Sequence, residues 1–243
     1  MTPLPDGPVA ALVDAVHRGD LPGLRRLLAD HPGLAATPIK GRDGVTRTPL
    51  HVACDWPGYF PNGPAVVRLL LAAGADPNTP VAGAGHAETP LHWAASSDDA
   101  DVAEALLDGG ADLEARGASI AGGTPLDDAV GYGCWHTARL LVARGARVDK
   151  LWHAAALGLA VRVEQLVDGP PAATQGQLDE ALWQACHGGQ RRVAEFLLAR
   201  GADLNAVPGY TDRTPLDIAG SLDTRRENLI AWLRERGAVS RGD

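Results

Sequence analysis

The stretch Thr89-Pro-Leu-His-Trp-Ala-Ala95 determines how the rest of the chain is interpreted. Its threonine suits the N-cap of a helix, because the hydroxyl can accept one of the unpaired N–H groups of the first turn. Its proline suits the first helical position, where a missing N–H costs nothing. Leu91, Ala94 and Ala95 then follow at helical spacing, which predicts a short helix with one narrow apolar face.

A second helix is predicted directly after the first one. It covers Val102–Leu107, and Gly110 can supply the left-handed residue that closes it. Two short helices with one apolar face each cannot bury those faces alone, so they need copies stacked beside them. The chain contains such copies, which begin with the segments Thr48–Ala53, Thr124–Ala129 and Thr214–Ala219.

One small residue in each first helix marks the repeats, which follow one another in unequal steps around ~33 residues. These markers are Ala15, Ala53, Ala94, Ala129, Ala154, Ala185 and Ala219. The pattern Thr-Pro-Leu-His-x-Ala at this period resembles the ankyrin repeat. The resemblance extends from about Pro8 to Ala238 and implies an all-α ankyrin-repeat solenoid with short finger loops, irregular in the middle.

We predict a single ankyrin-repeat domain over residues 8–238, with flexible tails at 1–7 and 239–243. It is divided into about seven helix–turn–helix repeats, of which the outer two are caps. Their bounds are roughly 8–47, 48–88, 89–123, 124–149, 150–177, 178–213 and 214–238. No Thr-Pro cap and no finger fit between Arg147 and Leu151, and the junction over residues 169–177 is irregular. We therefore expect a notch over repeats five and six.

Composition excludes several classes of partner and of location. The 243 residues are 45% hydrophobic with a net charge of −8, so phosphate attraction gives a nucleic-acid partner no help. The sequence has neither a signal peptide nor an apolar run of ~18 residues, which argues against a membrane span. An odd set of cysteines (Cys54, Cys134 and Cys186) favours free thiols and a cytoplasmic location. Scarce lysine beside plentiful arginine indicates a bacterial-type composition from a GC-rich genome.

The second repeat contains an insertion between its two helices. Asp55–Pro64 holds three prolines and two glycines, so it is predicted to bulge out rather than continue the helix. It also holds three aromatic residues, Trp56, Tyr59 and Phe60, whose rings are costly to leave in water. Two interpretations remain open: the rings fold back as a local lid, or they form a binding edge.

A partner-binding groove follows from the resemblance, because in ankyrin repeats the outward side of the first helix lines the concave face. The residues that the register assigns to this groove include several rings that would otherwise be exposed, which is typical of interface anchors. They are Asp55, Trp56, Tyr59, Trp93, Ser97, Asp128, Tyr132, His153, Leu157, Gln184 and His187. We therefore predict a non-catalytic, monomeric binding or scaffold module for a protein or peptide partner, with no cofactor. The competing interpretation is that some of these side chains only pack against the fingers.

An alternative function is small-molecule binding or catalysis at Asp128 and His153, which share one register in adjacent repeats. A carboxylate beside an imidazole could perform acid–base chemistry if the loop Trp56–Phe60 formed a roof. However, the sequence contains no nucleophile elbow, phosphate loop or metal motif. His51 and His92 occupy the ankyrin histidine position, which in that family serves hydrogen bonds between repeats, so we predict them to be structural and expect no metal site.

Overall fold

The computed structural model describes residues 7–41, 43–221 and 226–241. The chain separates into two compact units, Met1–Ala146 and Arg147–Asp243, which we call the N-terminal and C-terminal units. Over the described residues, fourteen α-helices form seven consecutive pairs, and the only strands belong to one short antiparallel hairpin. The helical class and the predicted repeat number are therefore confirmed.

The N-terminal unit contains the first four helix pairs and the hairpin. Its helices are α1 (Pro8–Arg18), α2 (Leu21–Asp30), α3 (Pro49–Cys54), α4 (Gly63–Ala72), α5 (Pro90–Ser96), α6 (Ala100–Asp108), α7 (Pro125–Gly131) and α8 (Trp135–Ala143). The hairpin strands are β1 (Ile39–Lys40) and β2 (Thr46–Arg47), with Ile39 opposite Arg47. A single 3₁₀ turn covers Leu34–Ala36.

The C-terminal unit contains the remaining three helix pairs. Its helices are α9 (Leu151–Ala156), α10 (Ala160–Asp168), α11 (Gln175–His187), α12 (Arg191–Ala199), α13 (Pro215–Ala219) and α14 (Glu227–Glu235). Helix α11 is longer than the first helix of any other pair, because Thr174 caps it well before its marker alanine. This start agrees with the predicted irregular junction.

Capping boxes start the five first helices that follow a threonine, which are α3, α5, α7, α11 and α13. At Thr89 the backbone N–H donates to Nδ1 of His92 at 3.0 Å, and the threonine side chain caps the N3 backbone N–H in return. Asp217 replaces the histidine at Thr214, where the threonine N–H donates to Oδ2 at 2.9 Å. Both residue types can accept from the N-cap N–H, which explains why the pattern tolerates either.

The core is a row of small and branched aliphatic side chains between the helices of each unit. All seven marker alanines are buried, which confirms the register read from the sequence. The largest side chains with less than 2% exposure are leucines. They are Leu12, Leu24, Leu50, Leu70, Leu91, Leu106, Leu126 and Leu141 in the N-terminal unit, and Leu182, Leu197, Leu229 and Leu233 in the C-terminal unit. Alanine lets neighbouring helices approach while leucine fills the space between them.

Successive fingers of the N-terminal unit are joined by backbone hydrogen bonds. Thr46 of the hairpin pairs with Ala82 of the second finger in an antiparallel bridge. Farther along that finger, the N–H of Ala87 donates to the carbonyl of Gly117 in the third finger at 3.2 Å. A Cβ at Gly117 would lie 2.4 Å from the carbonyl oxygen of Ala87, so this approach requires glycine. The fingers are therefore hydrogen-bonded to one another rather than isolated loops.

The chain ends were predicted to be flexible tails, but residues 1–6 and 242–243 lie outside the described part of the structure. Val239 donates its N–H to Oδ1 of Asn205 at 2.9 Å, and the hydroxyl of Ser240 donates to Asp217. Residues 239 and 240 are thus bound to the last two repeats. The single-domain boundary at 8–238 stays a prediction.

Candidate binding cleft

A cleft of about 610 Å³ opens on the N-terminal unit between the first helices and the fingers. Its lining residues come from α5, the start of the inserted loop, the second and third fingers and the end of α7. They are Asp55, Trp56, His86, Glu88, Trp93, Ser96, Ser97, Ser119 and Tyr132. We call this site the aromatic cleft. It brings together five of the predicted groove residues and adds polar residues of the fingers.

The inserted loop is fixed at several points, and this decides how its three rings are placed. The backbone N–H of Tyr59 donates to Oδ2 of Asp99 at 2.7 Å, and its phenol donates to the carbonyl of Asp98 at 2.5 Å. The Phe60 ring stacks on His17 with centroids 4.8 Å apart. Trp56 alone of the three faces the aromatic cleft, and 79% of its surface is exposed. Phe60 thus folds back, whereas Trp56 stands at the edge of the cleft.

Trp93 forms the wall of the aromatic cleft. Its indole N–H donates to Oε2 of Glu88 at 3.0 Å, which fixes the direction of the ring. One side of the indole receives His51 edge-on at 5.0 Å between centroids, and the guanidinium carbon of Arg47 lies 5.2 Å from its centroid. Arg47 also reaches Asp55 at 3.6 Å. The wall is therefore built of an aromatic ring held between a carboxylate, an imidazole and a guanidinium.

His51 confirms the structural role predicted for the repeat histidines. Its Nδ1 accepts from the N–H of Thr48, so Nε2 is the donor that reaches the carbonyl of Glu88 at 3.1 Å. Burial lowers the pKa of His51 to about 4, because the charged imidazolium would lose its hydration. The ring is therefore neutral at physiological pH and connects its own repeat to the next finger.

Asp128 lies behind the aromatic cleft, fully buried beneath the third finger. Its Oδ1 accepts from the hydroxyl of Ser119 at 3.1 Å and from the N–H of Ile120 at 3.2 Å. The neighbouring Glu88 accepts a hydrogen bond from the N–H of Ser119 at 2.9 Å, so both carboxyl groups bind the same finger residue. Burial, together with the charge of Glu88, raises the pKa of Asp128 to about 7.

Comparison with known proteins agrees with this architecture. Two family models match the chain: ankyrin repeats in three copies over residues 61–150, and a single ankyrin repeat over residues 179–207. The crystal structure of the ankyrin repeat domain of Bcl-3, described as a unique member of the IkappaB protein family, is 31% identical with a TM-score of 0.53. That match covers 95% of this chain and 99% of the other. The chain belongs to the ankyrin repeat family.

Other ankyrin repeat proteins show the same relationship at lower coverage. Human ASB11 has an ankyrin repeat domain of the same fold, with 22% identity, a TM-score of 0.53, and coverage of 91% of this chain and 96% of that one. Human B-cell lymphoma 3 protein is 37% identical over 56% of this chain and 28% of its own length. An ankyrin repeat and KH domain-containing protein of Caenorhabditis briggsae is 30% identical over 80% of this chain and 7% of its own. The chain therefore spans about a quarter or less of these curated relatives, and their animal origin lends no support to a bacterial source.

Several predicted groove residues of the ankyrin array are buried instead of exposed. Ser97 donates its hydroxyl to the carbonyl of Cys54 at 3.2 Å. In the C-terminal unit, the ring of His153 packs edge-on against Trp152 at 4.0 Å between centroids. Gln184 donates to the phenol of Tyr210 at 3.3 Å. The helical register of the sequence could not foresee that neighbouring elements cover these side chains.

The rest of the predicted groove set is only partly accessible. His187 is buried with its ring 5.3 Å from that of Trp183, and Leu157 is half-buried at the end of α9. Tyr59 is exposed, but its hydrogen bond to Asp98 stabilises the inserted loop, and its side chain does not line the aromatic cleft. The alternative site at Asp128 and His153 requires side chains that reach a substrate. Each of these residues is buried within its own unit, with 0% and 1% exposure respectively.

A second cavity occupies the predicted notch in the C-terminal unit. Its volume is about 420 Å³, and it lies where no finger covers the start of α9 and the junction to α11. Its lining is Asp149, Lys150, Leu151, Trp152, Gln165, Leu166, Gly169, Pro170, Pro171, Ala173, Gln177 and Glu180. The ammonium of Lys150 lies 5.7 Å from the ring centroid of Trp152, which covers part of the exposed indole. A cavity thus lies in the region where the sequence predicts a notch.

Neither a metal centre nor a membrane span is found in the part of the chain that the structure describes. Within residues 7–41, 43–221 and 226–241, His, Cys, Asp and Glu side chains form no group of three that could hold a metal ion. No described helix has the length and apolar character needed to cross a bilayer. Cys54, Cys134 and Cys186 are buried and form no disulfide among the described residues. Cys54 and Cys186 pack as small apolar groups, and Cys134 donates its thiol to the carbonyl of Ser96 at 3.3 Å.

Sequence reasoning overlooked the polar residues that the fingers contribute to the aromatic cleft. Neither Glu88 nor Ser119 is among the predicted groove residues, although both line the cleft. Finger residues follow no helical or strand period, so no repeating pattern indicates which of them face the helices. The one available signal was position, because Glu88 stands directly before the capping residue of α5.

Proposed function

We propose that this chain is a non-catalytic ankyrin-repeat module that binds a protein or peptide partner through the aromatic cleft and the fingers around it. In this proposal, Trp56, Trp93, Tyr132 and Asp55 contact the partner directly. The predicted groove residues of the C-terminal unit, which are mostly buried, have less surface to offer. The proposal includes a monomeric, cytoplasmic protein, as expected for a binding module with free thiols and charged terminal repeats.

The observation that carries the proposal is the placement of Trp56. A tryptophan with 79% of its surface exposed loses a large favourable free energy of burial unless another molecule covers it. Its loop is held by the Tyr59 hydrogen bonds to Asp98 and Asp99 and by the packing of Phe60. Binding of a partner therefore requires little loss of conformational entropy in this loop, which favours a strong interface anchor.

The surroundings of Trp56 support the same conclusion. Tyr132, with 53% of its surface exposed, lines the same cleft, and its phenol lies 3.0 Å from the hydroxyl of Ser119. Rings that combine an apolar body with a fixed polar end are typical of recognition surfaces. The array of repeats gives such a cleft a rigid frame.

The test is selection of ligands from a random peptide library on the full-length protein, followed by measurement of Kd for the tightest peptide. We expect Trp56→Ala to weaken binding about 30-fold, which corresponds to the ~2 kcal/mol typical of a central anchor. Val161→Ala is the matched control, because Val161 is an exposed apolar residue of α10 in the other unit. Selected peptides that bind Trp56→Ala as tightly as wild type would refute the proposed site.

A further inference from the structure

The aromatic cleft has an excess of negative charge. Its lining includes the carboxylates of Asp55 and Glu88, and its described lining residues include neither lysine nor arginine. Arg47 approaches from the hairpin, where it is paired with Asp43 at 2.5 Å and with Asp55 at 3.6 Å. The hairpin and the cleft together thus hold three carboxylates and one guanidinium, even with Asp128 counted as neutral, and the imidazole of His86 lies 3.2 Å from Glu88. A cleft of this kind attracts a cation.

The aromatic rings supply the second requirement for holding a cation. Trp56 and Tyr132 expose most of their surfaces, and both line the same cleft as the carboxylates. The face of an indole or phenol ring carries negative electrostatic potential and attracts a cation within about 6 Å of its centroid. The Trp93 ring is already used in this way, because the Arg47 guanidinium carbon lies 5.2 Å from it.

Arg47 shows which cation suits this environment. Its guanidinium is held by one ring, Trp93, and two carboxylates, Asp43 and Asp55, and only 18% of its side chain remains exposed. The other two rings of the cleft have no such internal cation among the contacts of the described residues. One ring of the cleft, Trp93, therefore already holds a guanidinium beside carboxylates. The rings of Trp56 and Tyr132 are open to solvent.

We infer that the aromatic cleft binds the guanidinium of an arginine in the partner, placed against Trp56 and Tyr132 and within reach of Asp55 and Glu88. The inference rests on the proposed function and specifies the partner: a segment containing arginine, drawn to a chain of net charge −8. Arginine fits better than lysine because its planar, weakly hydrated group stacks on rings and pairs with a carboxylate through two parallel hydrogen bonds.

The experiment uses the tightest peptide recovered from the random library, with each arginine replaced in turn by citrulline. Citrulline keeps the shape of the side chain but replaces the charged guanidinium with a neutral urea group. We expect one such replacement to raise Kd at least tenfold, measured by fluorescence anisotropy on the full-length protein. In Trp56→Ala the same replacement should change Kd less than threefold, because the ring that holds the guanidinium is gone.

A substitution of Asp55 tests whether the negative charge of the cleft contributes to binding. Asp55→Asn keeps the acceptor for the N–H of Trp56, which bonds Oδ1 at 2.9 Å, but removes the negative charge. We expect it to weaken the arginine peptide at least threefold and to leave the citrulline peptide unchanged. Asp108→Asn is the matched control, because this exposed carboxylate pairs with Arg144 outside the cleft.

The outcomes separate this inference from the proposed function. If the peptide loses affinity in Trp56→Ala but contains no arginine, or tolerates citrulline at every arginine, the arginine inference is overturned and the binding site stands. If lysine or trimethyl-lysine in place of the arginine binds more tightly, a different cation is the ligand and the inference is likewise overturned. If Trp56→Ala has no effect, both proposals fail.

Discussion

The buried carboxyl group of Asp128 should make the stability of the N-terminal unit depend on pH in a direction opposite to that of the buried histidine. The pKa of Asp128 is raised from 3.8 to about 7, so the folded state retains a proton that the unfolded chain releases. The stability that this proton provides is complete below pH ~4 and is lost as pH rises to ~7. Three pKa units correspond to about 4 kcal/mol.

His51 contributes with the opposite sign. Its pKa is lowered from 6.5 to about 4, so its contribution is complete above pH ~6.5 and is lost as pH falls towards 4. Burial also lowers the pKa of His92, which adds to this effect. Between pH ~4 and ~6.5 the aspartic acid and the histidines therefore change the stability of the wild-type protein in opposite directions.

The variant Asp128→Asn isolates the carboxyl group. The asparagine Oδ1 can still accept from Ser119 and Ile120, and its amide can donate towards Glu88, so the change should cost little where Asp128 is protonated. Relative to wild type, we expect the free energy of unfolding of the variant to increase by about 3 kcal/mol between pH 4.5 and 7.5. The control Asp108→Asn, in an exposed ion pair with Arg144, should follow the wild-type profile.

The measurement is urea unfolding at a series of pH values, followed by circular dichroism. Hydrogen exchange of the α7 amides assigns the change to the N-terminal unit. Parallel pH profiles for wild type and Asp128→Asn would refute the reasoning, because they would mean that Asp128 titrates equally in the folded and unfolded chains.

Four further substitutions test the repeat architecture by urea unfolding. Leu91→Ala should lower the free energy of unfolding by about 2–5 kcal/mol, because the side chain is fully buried and leaves a cavity. Thr214→Ala should cost about 0.5–2 kcal/mol through loss of the helix cap, and a cost near zero would argue against the capping role. Gly188→Ala should cost more than Gly201→Ala, because its Cβ would lie 1.9 Å from the carbonyl oxygen of Ala156, whereas the left-handed Gly201 faces open space. Equal losses for the two glycines would contradict the close approach at Gly188.

The sequence by itself determined the repeat architecture, because helix caps and apolar periodicity are local. A threonine and proline followed by leucine and alanine at helical spacing specify each first helix without reference to distant residues. The alanine markers, the irregular middle and the position of the inserted loop follow from the same local patterns. All of these are borne out in the helices and in the buried alanines.

Only the tertiary structure decided which side chains of the groove register remain exposed. Asp128 and Trp93 have similar positions in their helices, yet the third finger covers the first and leaves the second partly open. Trp56 and Phe60 lie close together in one loop, but the ring of His17, far away in the sequence, receives only Phe60. Exposure depends on what packs above a residue, and the irregular fingers that do so carry no period from which their direction could be read.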